Sequence, residues 1–355
     1  MNILLLTGRF GMGHLQCANT LKNKIESENP EATVKVLDLL AYLQPHVYTL
    51  WYRAYDFLIS RCFGVYNFFN SFYGEIGENR GQLIFKEKMQ TLMADERPDL
   101  VISNLPICSQ IYNSYRKRSG CSIPLYVYVT DVSFRGEWIS PEVDRYYVAD
   151  ESTKIALMCA GVSEEIIYIS GIPVSDDFTP RAEDGPRTSV LLMGGGAGLI
   201  PGGKKTVDVF DGMGIEVSLV CGNNKKLRAY AEKHCKNIHV YGCTDRVPEL
   251  MRHAKLLVTK PGGITTFEAI RAETPMCVMT PVLAQEAGNL KLIKDKNIGY
   301  VLQKSDGICK ETFLRLLGDE ARLGEMRDNM RAIKAAQVSC NPLAGASGAF
   351  GGTQI

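Results

Sequence analysis

The sequence predicts an α/β protein made of two Rossmann-like, doubly wound domains facing a cleft. Three observations predict it. The chain has 355 residues, too many for one ordinary core and suited to two domains of roughly 150–200 residues. Short apolar, β-branched runs alternate with stretches of helical period, as in parallel sheets covered on both faces. Midway, the segment Gly171–Arg187 (GIPVSDDFTPRAEDGPR) interrupts that alternation with Pro, Asp and Gly and reads as a linker.

In the first half, strands are expected at Ile3–Thr7, Thr33–Leu37, Leu100–Ser103, Leu125–Thr130, Arg145–Val148 and Ile166–Ser170. Helices are expected around His14–Glu26, Leu83–Asp95, Ile107–Arg118 and Ser152–Cys159. A second series follows, with strands at Ser189–Met193, Glu216–Val220, Ile238–Tyr241, Leu256–Thr259, Met276–Met279 and Tyr300–Leu302 and helices between them. Helices at Glu311–Leu317 and Asp319–Ala336 precede a Gly/Ala/Ser tail from Asn341 to Ile355 that reads as disordered. Ligands of such sheets sit beyond the carboxyl ends of the strands.

One stretch breaks the pattern. Between Tyr42 and Tyr73 lie 12 of the 31 aromatic residues. Such a segment either meets a membrane surface, where rings with a polar edge settle, or forms a helical hairpin packed on the sheet.

Composition narrows the function. Hydrophobic content is 45% with 22% charged residues, as in a folded protein. Lys+Arg 40 against Asp+Glu 39 provides no basic field for a nucleic-acid partner. Up to Pro173 there are 16 basic and 19 acidic residues; after it, 24 and 20, so an anionic ligand is expected on the later half. Eleven cysteines form no CxxC pair, and Cys17, Cys108, Cys159, Cys221 and Cys277 read as reduced core thiols, so neither metal site nor disulfide framework is expected. No basic n-region or cleavage site precedes the first strand, and no run reaches the ~18 apolar residues of a span. A cytoplasmic protein, soluble or attached to a membrane from that side, is expected.

Four motifs carry chemistry. Thr259-Lys260-Pro261-Gly262-Gly263-Ile264-Thr265-Thr266-Phe267-Glu268 follows an apolar run and opens a helix. Glycines let the backbone approach phosphate oxygens, while the helix N-terminus supplies free N–H groups and a positive dipole end. Glu268, one turn inside, can accept both ribose hydroxyls; the bland alternative is a plain strand–turn–helix. Met193-Gly194-Gly195-Gly196-Ala197-Gly198-Leu199 ends another strand in consecutive glycines, leaving a gap for phosphate or sugar. It is not the dinucleotide fingerprint, lacking the third glycine in place and the later acidic residue. Pro281–Asn289 (PVLAQEAGN) brings Gln285, Glu286 and Asn289 to a loop tip that suits hexose hydroxyls. Gly8–His14 (GRFGMGH) follows the first strand and sets His14 at a helix start, which favours a neutral imidazole able to act as base.

These runs, with VTDVSFRGEW at Val129–Trp138, YYVADESTK and SGIPV, resemble the monogalactosyldiacylglycerol synthase and processive diacylglycerol glucosyltransferase family. That family is related to the peptidoglycan GlcNAc transferase that makes the undecaprenyl-linked disaccharide. The resemblance runs in order from about residue 2 to 335. It implies a GT-B glycosyltransferase fold, a UDP-sugar donor and inversion at the anomeric carbon without a metal or other cofactor. His14 would be the general base. Gly194, Gly195, Gly196, Gly198, Lys260, Gly262, Gly263, Thr265, Glu268, Gln285, Glu286 and Asn289 would hold the donor. Asp131, Arg135 and Trp138 would face the acceptor, and the family usually has His where Arg135 stands.

The expectation is therefore an inverting hexosyltransferase acting on a lipid acceptor, diacylglycerol, while peripheral on the inner face of the cell membrane. Residues 1–172 would form the acceptor- and membrane-facing domain, 173–187 the linker, 188–340 the nucleotide-sugar domain and 341–355 a flexible tail. A UDP-GlcNAc-dependent transferase acting on a polyprenyl-linked or other glycan acceptor, or a UDP-GlcNAc 2-epimerase, are the alternative readings.

Overall fold

The computed structural model describes residues 1–9, 13–45, 48, 81–132, 136–279, 286–303 and 308–344. Phe10–Met12, Arg135, Gln285, residues 345–355 and all of the aromatic segment except Tyr42–Leu43, Gln44, Pro45 and Tyr48 lie outside the described residues.

The chain divides into two units. The first contains β1 (Asn2–Thr7), β2 (Thr33–Asp38), β3 (Leu100–Ser103), β4 (Leu125–Tyr128), β5 (Arg145–Val148) and β6 (Ile167–Ile169). Among the described residues its helices are α1 (Gly13–Glu28), α2 (Leu39–Leu43), α3 (Gly81–Glu96), α4 (Pro106–Ser119) and α5 (Glu151–Cys159). Residues 338–344 also belong to this unit.

The second unit alternates β7 (Ser189–Met193), α6 (Lys204–Asp211), β8 (Val217–Val220), α7 (Lys225–His234), β9 (Ile238–Tyr241), α8 (Val247–His253) and β10 (Ala254–Thr259). It continues with α9 (Gly263–Ala272), β11 (Met276–Met279), α10 (Ala287–Asp295), β12 (Gly299–Leu302), α11 (Lys310–Gly318) and α12 (Glu320–Ala336).

Both sheets are parallel throughout, in the orders β2-β1-β3-β4-β5-β6 and β12-β11-β10-β7-β8-β9. Their strands read as unbroken apolar runs because helices cover both faces: Leu4, Leu5 and Leu6 in β1 and Val190, Leu191 and Leu192 in β7 are all buried. Each such side chain contributes about 1.5–3 kcal/mol relative to exposure. Strand order reverses between β1 and β3 in the first sheet and between β7 and β10 in the second. A crevice opens beyond the strand ends at such a reversal, and the glycine motifs follow β1, β7 and β10.

Several expectations change. Residues 174–187 are packed chain in the second unit, not a free connection. They form short 3-10 turns at Asp176–Phe178 and Ala182–Asp184, with Phe178 buried. Asp184 accepts from Arg252 Nε with both oxygens, at 3.1 and 3.0 Å, and Arg252 also donates to the Asp177 carbonyl. Burial by itself raises the Asp184 carboxyl, but the Arg181 amide and the Arg252 guanidinium outweigh it and hold it below its ordinary value.

The start of the expected tail is held as well. Asn341 is buried and donates to Glu28 at 2.7 Å and Asn29 at 2.8 Å, while Tyr128 donates to the Cys340 carbonyl at 2.8 Å. Cys17 and Cys277 are core thiols as expected, and burial pushes both up to about 12. Cys159 instead is exposed, because α5 ends there and turns its last residue outward.

Candidate active site

In the first unit α1 begins at Gly13, so His14 stands in the first turn of that helix, half-buried. Its Nδ1 lies 3.0 Å from the Asn104 carbonyl oxygen and 3.1 Å from Thr130 Oγ1. A carbonyl can only accept, so Nδ1 carries the proton and, in the neutral ring, Nε2 keeps its lone pair. The Asn104 side chain returns the contact, its Nδ2 donating to the His14 carbonyl at 2.6 Å. Asn104 follows β3 and Thr130 follows β4, so the ends of three neighbouring strands frame one imidazole. Asn104 Oδ1 and Thr7 Oγ1 are buried without a hydrogen-bond partner among the described residues.

The acceptor-side residues are divided. Asp131 directly follows Thr130 and is half-buried. Trp138, expected on the acceptor side, ends the 3-10 turn Gly136–Trp138 and is 1% exposed in the first unit's core, and Tyr146 Oη donates to its carbonyl at 3.1 Å. Arg135 lies outside the described residues.

In the second unit, the two glycine motifs end adjacent strands, since β7 pairs with β10 (Leu192 opposite Val258). The first turn is closed by Gly198 N donating to Gly195 O at 2.9 Å and Leu199 N donating to Gly194 O at 3.2 Å. The loop after β8 braces it: Asn223 N donates to Gly196 O at 2.9 Å and Asn224 Nδ2 to Gly198 O at 3.0 Å. Gly198 is required here. Its φ is +63°, and a Cβ on it would lie 1.8 Å from the Cys221 carbonyl oxygen. Gly198 therefore shapes the turn with its amide already used, while Gly194, Gly195 and Gly196 line it.

After β10, Gly262 caps α9 with no side-chain hydrogen bond. The amides of Gly263, Ile264 and Thr265 thus point out of the first turn, as helix geometry requires, where an anion is favoured. Thr265 and Glu268 lie in α9 and are buried, with Glu268 4% exposed. Lys260 Nζ donates to Glu286 Oε1 at 2.6 Å, their side chains being 30% and 6% exposed. Asn289 is buried in α10, and its Nδ2 donates to the Pro261 carbonyl at 2.9 Å, tying the starts of α9 and α10 together. Gln285 lies outside the described residues.

The sequence reading missed Asn104, Thr130 and Asn224. Each is a polar residue just beyond an apolar strand run, which is the one local signal they carry.

Residues 14–174 match the family model described as monogalactosyldiacylglycerol (MGDG) synthase. The chain is 28% identical over 359 residues to a processive diacylglycerol β-glucosyltransferase of Staphylococcus carnosus, covering 94% of this chain and 88% of that one. Its fold is similar to MurG of Acinetobacter baumannii, with a TM-score of 0.60 at 14% identity over 93% of this chain and 94% of that one. HepE of Anabaena, solved in complex with UDP, superposes with a TM-score of 0.54 at 13% identity over 96% of both chains. At these identities the structures speak to fold alone. The resemblance read from the motifs thus holds along the chain: it has the GT-B glycosyltransferase fold and is similar over most of its length to the processive diacylglycerol β-glucosyltransferases.

Proposed function

We propose that the chain is an inverting glycosyltransferase that moves a hexose from a UDP-sugar to a lipid hydroxyl, that of diacylglycerol. The observation that carries this is the pairing of two glycine motifs on adjacent strands at the second sheet's order reversal, one of them opening a helix with uncapped amides. Such a pair suits a diphosphate. The diacylglycerol acceptor is taken from the S. carnosus relative, which bears that activity in its name.

In this reading the Gly194–Gly196 turn and the Gly262–Thr265 amides bind the diphosphate, Glu268 binds ribose, and Glu286 and Asn289 border the sugar. His14 Nε2 takes the proton of the attacking hydroxyl, with Nδ1–H held by the Asn104 carbonyl. General-base help of this kind contributes ~10²–10⁴ in rate. The acceptor oxygen bonds to the anomeric carbon, the bond to UDP breaks, and the electron pair leaves with the β-phosphate. Helix amides suit that leaving group, so the proposed reaction uses no metal. No helix among the described residues is long and apolar enough to cross a membrane; the proposed location is peripheral on the inner membrane face.

The test is a panel of UDP-hexoses incubated with purified protein and membrane lipid extract, read by mass spectrometry. A hexosyl-diacylglycerol is the expected product. Hexose appearing instead on a polyprenyl phosphate or soluble glycan, or epimerised UDP-sugar without acceptor, would replace this reading. The relatives do not favour either alternative.

A further inference from the structure

Lys260 belongs to the donor set read from the sequence, but the ion pair it makes with Glu286 is left unexplained by the diphosphate reading. The Lys260 side chain reaches across both glycine turns. A Cβ placed on Gly195 would lie 3.8 Å from Lys260 Cε, and one on Gly262 would lie 3.9 Å from Lys260 Nζ. The ammonium is pinned there by Glu286, at 2.6 Å, whose side chain is only 6% exposed.

We propose that Glu286 acts through Lys260 as a counter-charge, weakening the hold of that ammonium on the diphosphate and so limiting product affinity. This deepens the donor-site reading above and rests on it.

The argument is one of charge. An ammonium has three donors. One is spent on Glu286, so two remain for phosphate oxygens above the turns. As the bond between the anomeric carbon and the β-phosphate oxygen breaks, that oxygen takes the electron pair and the diphosphate gains about one negative charge. The acceptor's proton goes to His14. A fixed cation beside the leaving oxygen is therefore worth more in the transition state than in the bound donor, which is the condition for catalysis. The same cation holds the product UDP more tightly than the donor, and slow release would follow. A buried carboxylate bonded to that ammonium lowers the field at the phosphate. It also remains paired itself, since burying it alone would be costly. A neutral residue at 286 would leave Lys260 in place and remove this restraint.

Isothermal calorimetry with UDP tests it on the full chain, using wild type, Lys260→Met, Glu286→Gln and the double variant. Lys260→Met should weaken UDP at least tenfold and lower kcat by ~10²–10³. Glu286→Gln should bind UDP about 5–20-fold more tightly, with stronger product inhibition and a lower kcat. Glu286→Ala should shift UDP affinity in the same direction, which covers the case of a Gln variant that misfolds. In the Lys260→Met background the tightening should shrink to less than twofold, the coupling expected of a residue acting through its neighbour. Unchanged or weaker UDP binding in both Glu286 variants overturns the inference, as does equal tightening with and without Lys260. Failure of the wild type to bind UDP would instead refute the donor-site reading itself.

Discussion

Substituting Gly198 by alanine separates shape from chemistry at the donor turn. The added Cβ would lie 1.8 Å from the Cys221 carbonyl oxygen, 2.7 Å from its carbon and 2.8 Å from Asn224 Cβ. The first two are backbone atoms and cannot swing aside. The residue also sits at φ +63°, which costs an L-residue about 1–2 kcal/mol. Forced overpacking adds about 1–3 kcal/mol, for an expected loss of about 2–5 kcal/mol. Relief requires the loop after β8 to retreat, breaking the Asn224–Gly198 bond of 3.0 Å and the Asn223–Gly196 bond of 2.9 Å.

Gly214→Ala is the matched control, because its φ is +70° with nothing within 4 Å of a Cβ. It bears the backbone strain alone. Urea unfolding followed by circular dichroism should show the second unit's midpoint lowered by about 1–2.5 M for Gly198→Ala, at an m-value of ~2 kcal/mol/M. For Gly214→Ala the shift should stay near half that or less. UDP affinity by calorimetry should fall at least tenfold only in Gly198→Ala. Equal effects of the two substitutions would falsify the claim that close packing, beyond conformational strain, makes this turn.

Three further outcomes follow from the same contacts. Nitrogen-15 NMR of the His14 ring near pH 8 should show Nδ1 protonated and Nε2 bare, and His14→Ala should lose turnover while retaining UDP affinity; the opposite tautomer would remove Nε2 as the base. Asp184→Asn leaves the buried Arg252 guanidinium without its carboxylate, at a cost of about 3–5 kcal/mol. Because the folded-state Asp184 carboxyl titrates below its ordinary value, its stabilisation is complete above about pH 4 and is lost as pH falls through the folded value. The wild-type acid limb below about pH 4 should therefore flatten in Asp184→Asn when stability is followed against pH. Trp138→Ala should destabilise the first unit by about 3–5 kcal/mol in urea, whereas Trp138→Phe should leave the acceptor KM unchanged; a raised KM in the Phe variant would return Trp138 to the acceptor side.

The sequence by itself determined the twelve strands found among the described residues, the helices that cover them and the turns where chemistry gathers. Those features are local: a strand buried on both faces must be apolar over four to six residues, and a backbone that closely approaches its neighbour needs glycine. GRFGMGH, MGGGAG and TKPGG are therefore visible one window at a time. Tertiary structure alone decided which distant residues meet. Asn104 is 90 residues from His14 and Thr130 is 116 away, yet both touch its Nδ1. The Pro- and Asp-rich segment is packed chain, with Phe178 buried and Asp184 paired to Arg252, 68 residues further on. Trp138 looks the same in sequence whether it faces a ligand or a core, and only the fold shows it buried at the end of a 3-10 turn. Strand order was equally hidden, since β10 lies against β7 rather than β9. Side-chain periodicity records which face of an element is apolar, but the partner for that face is chosen by the burial and hydrogen bonding of the whole chain.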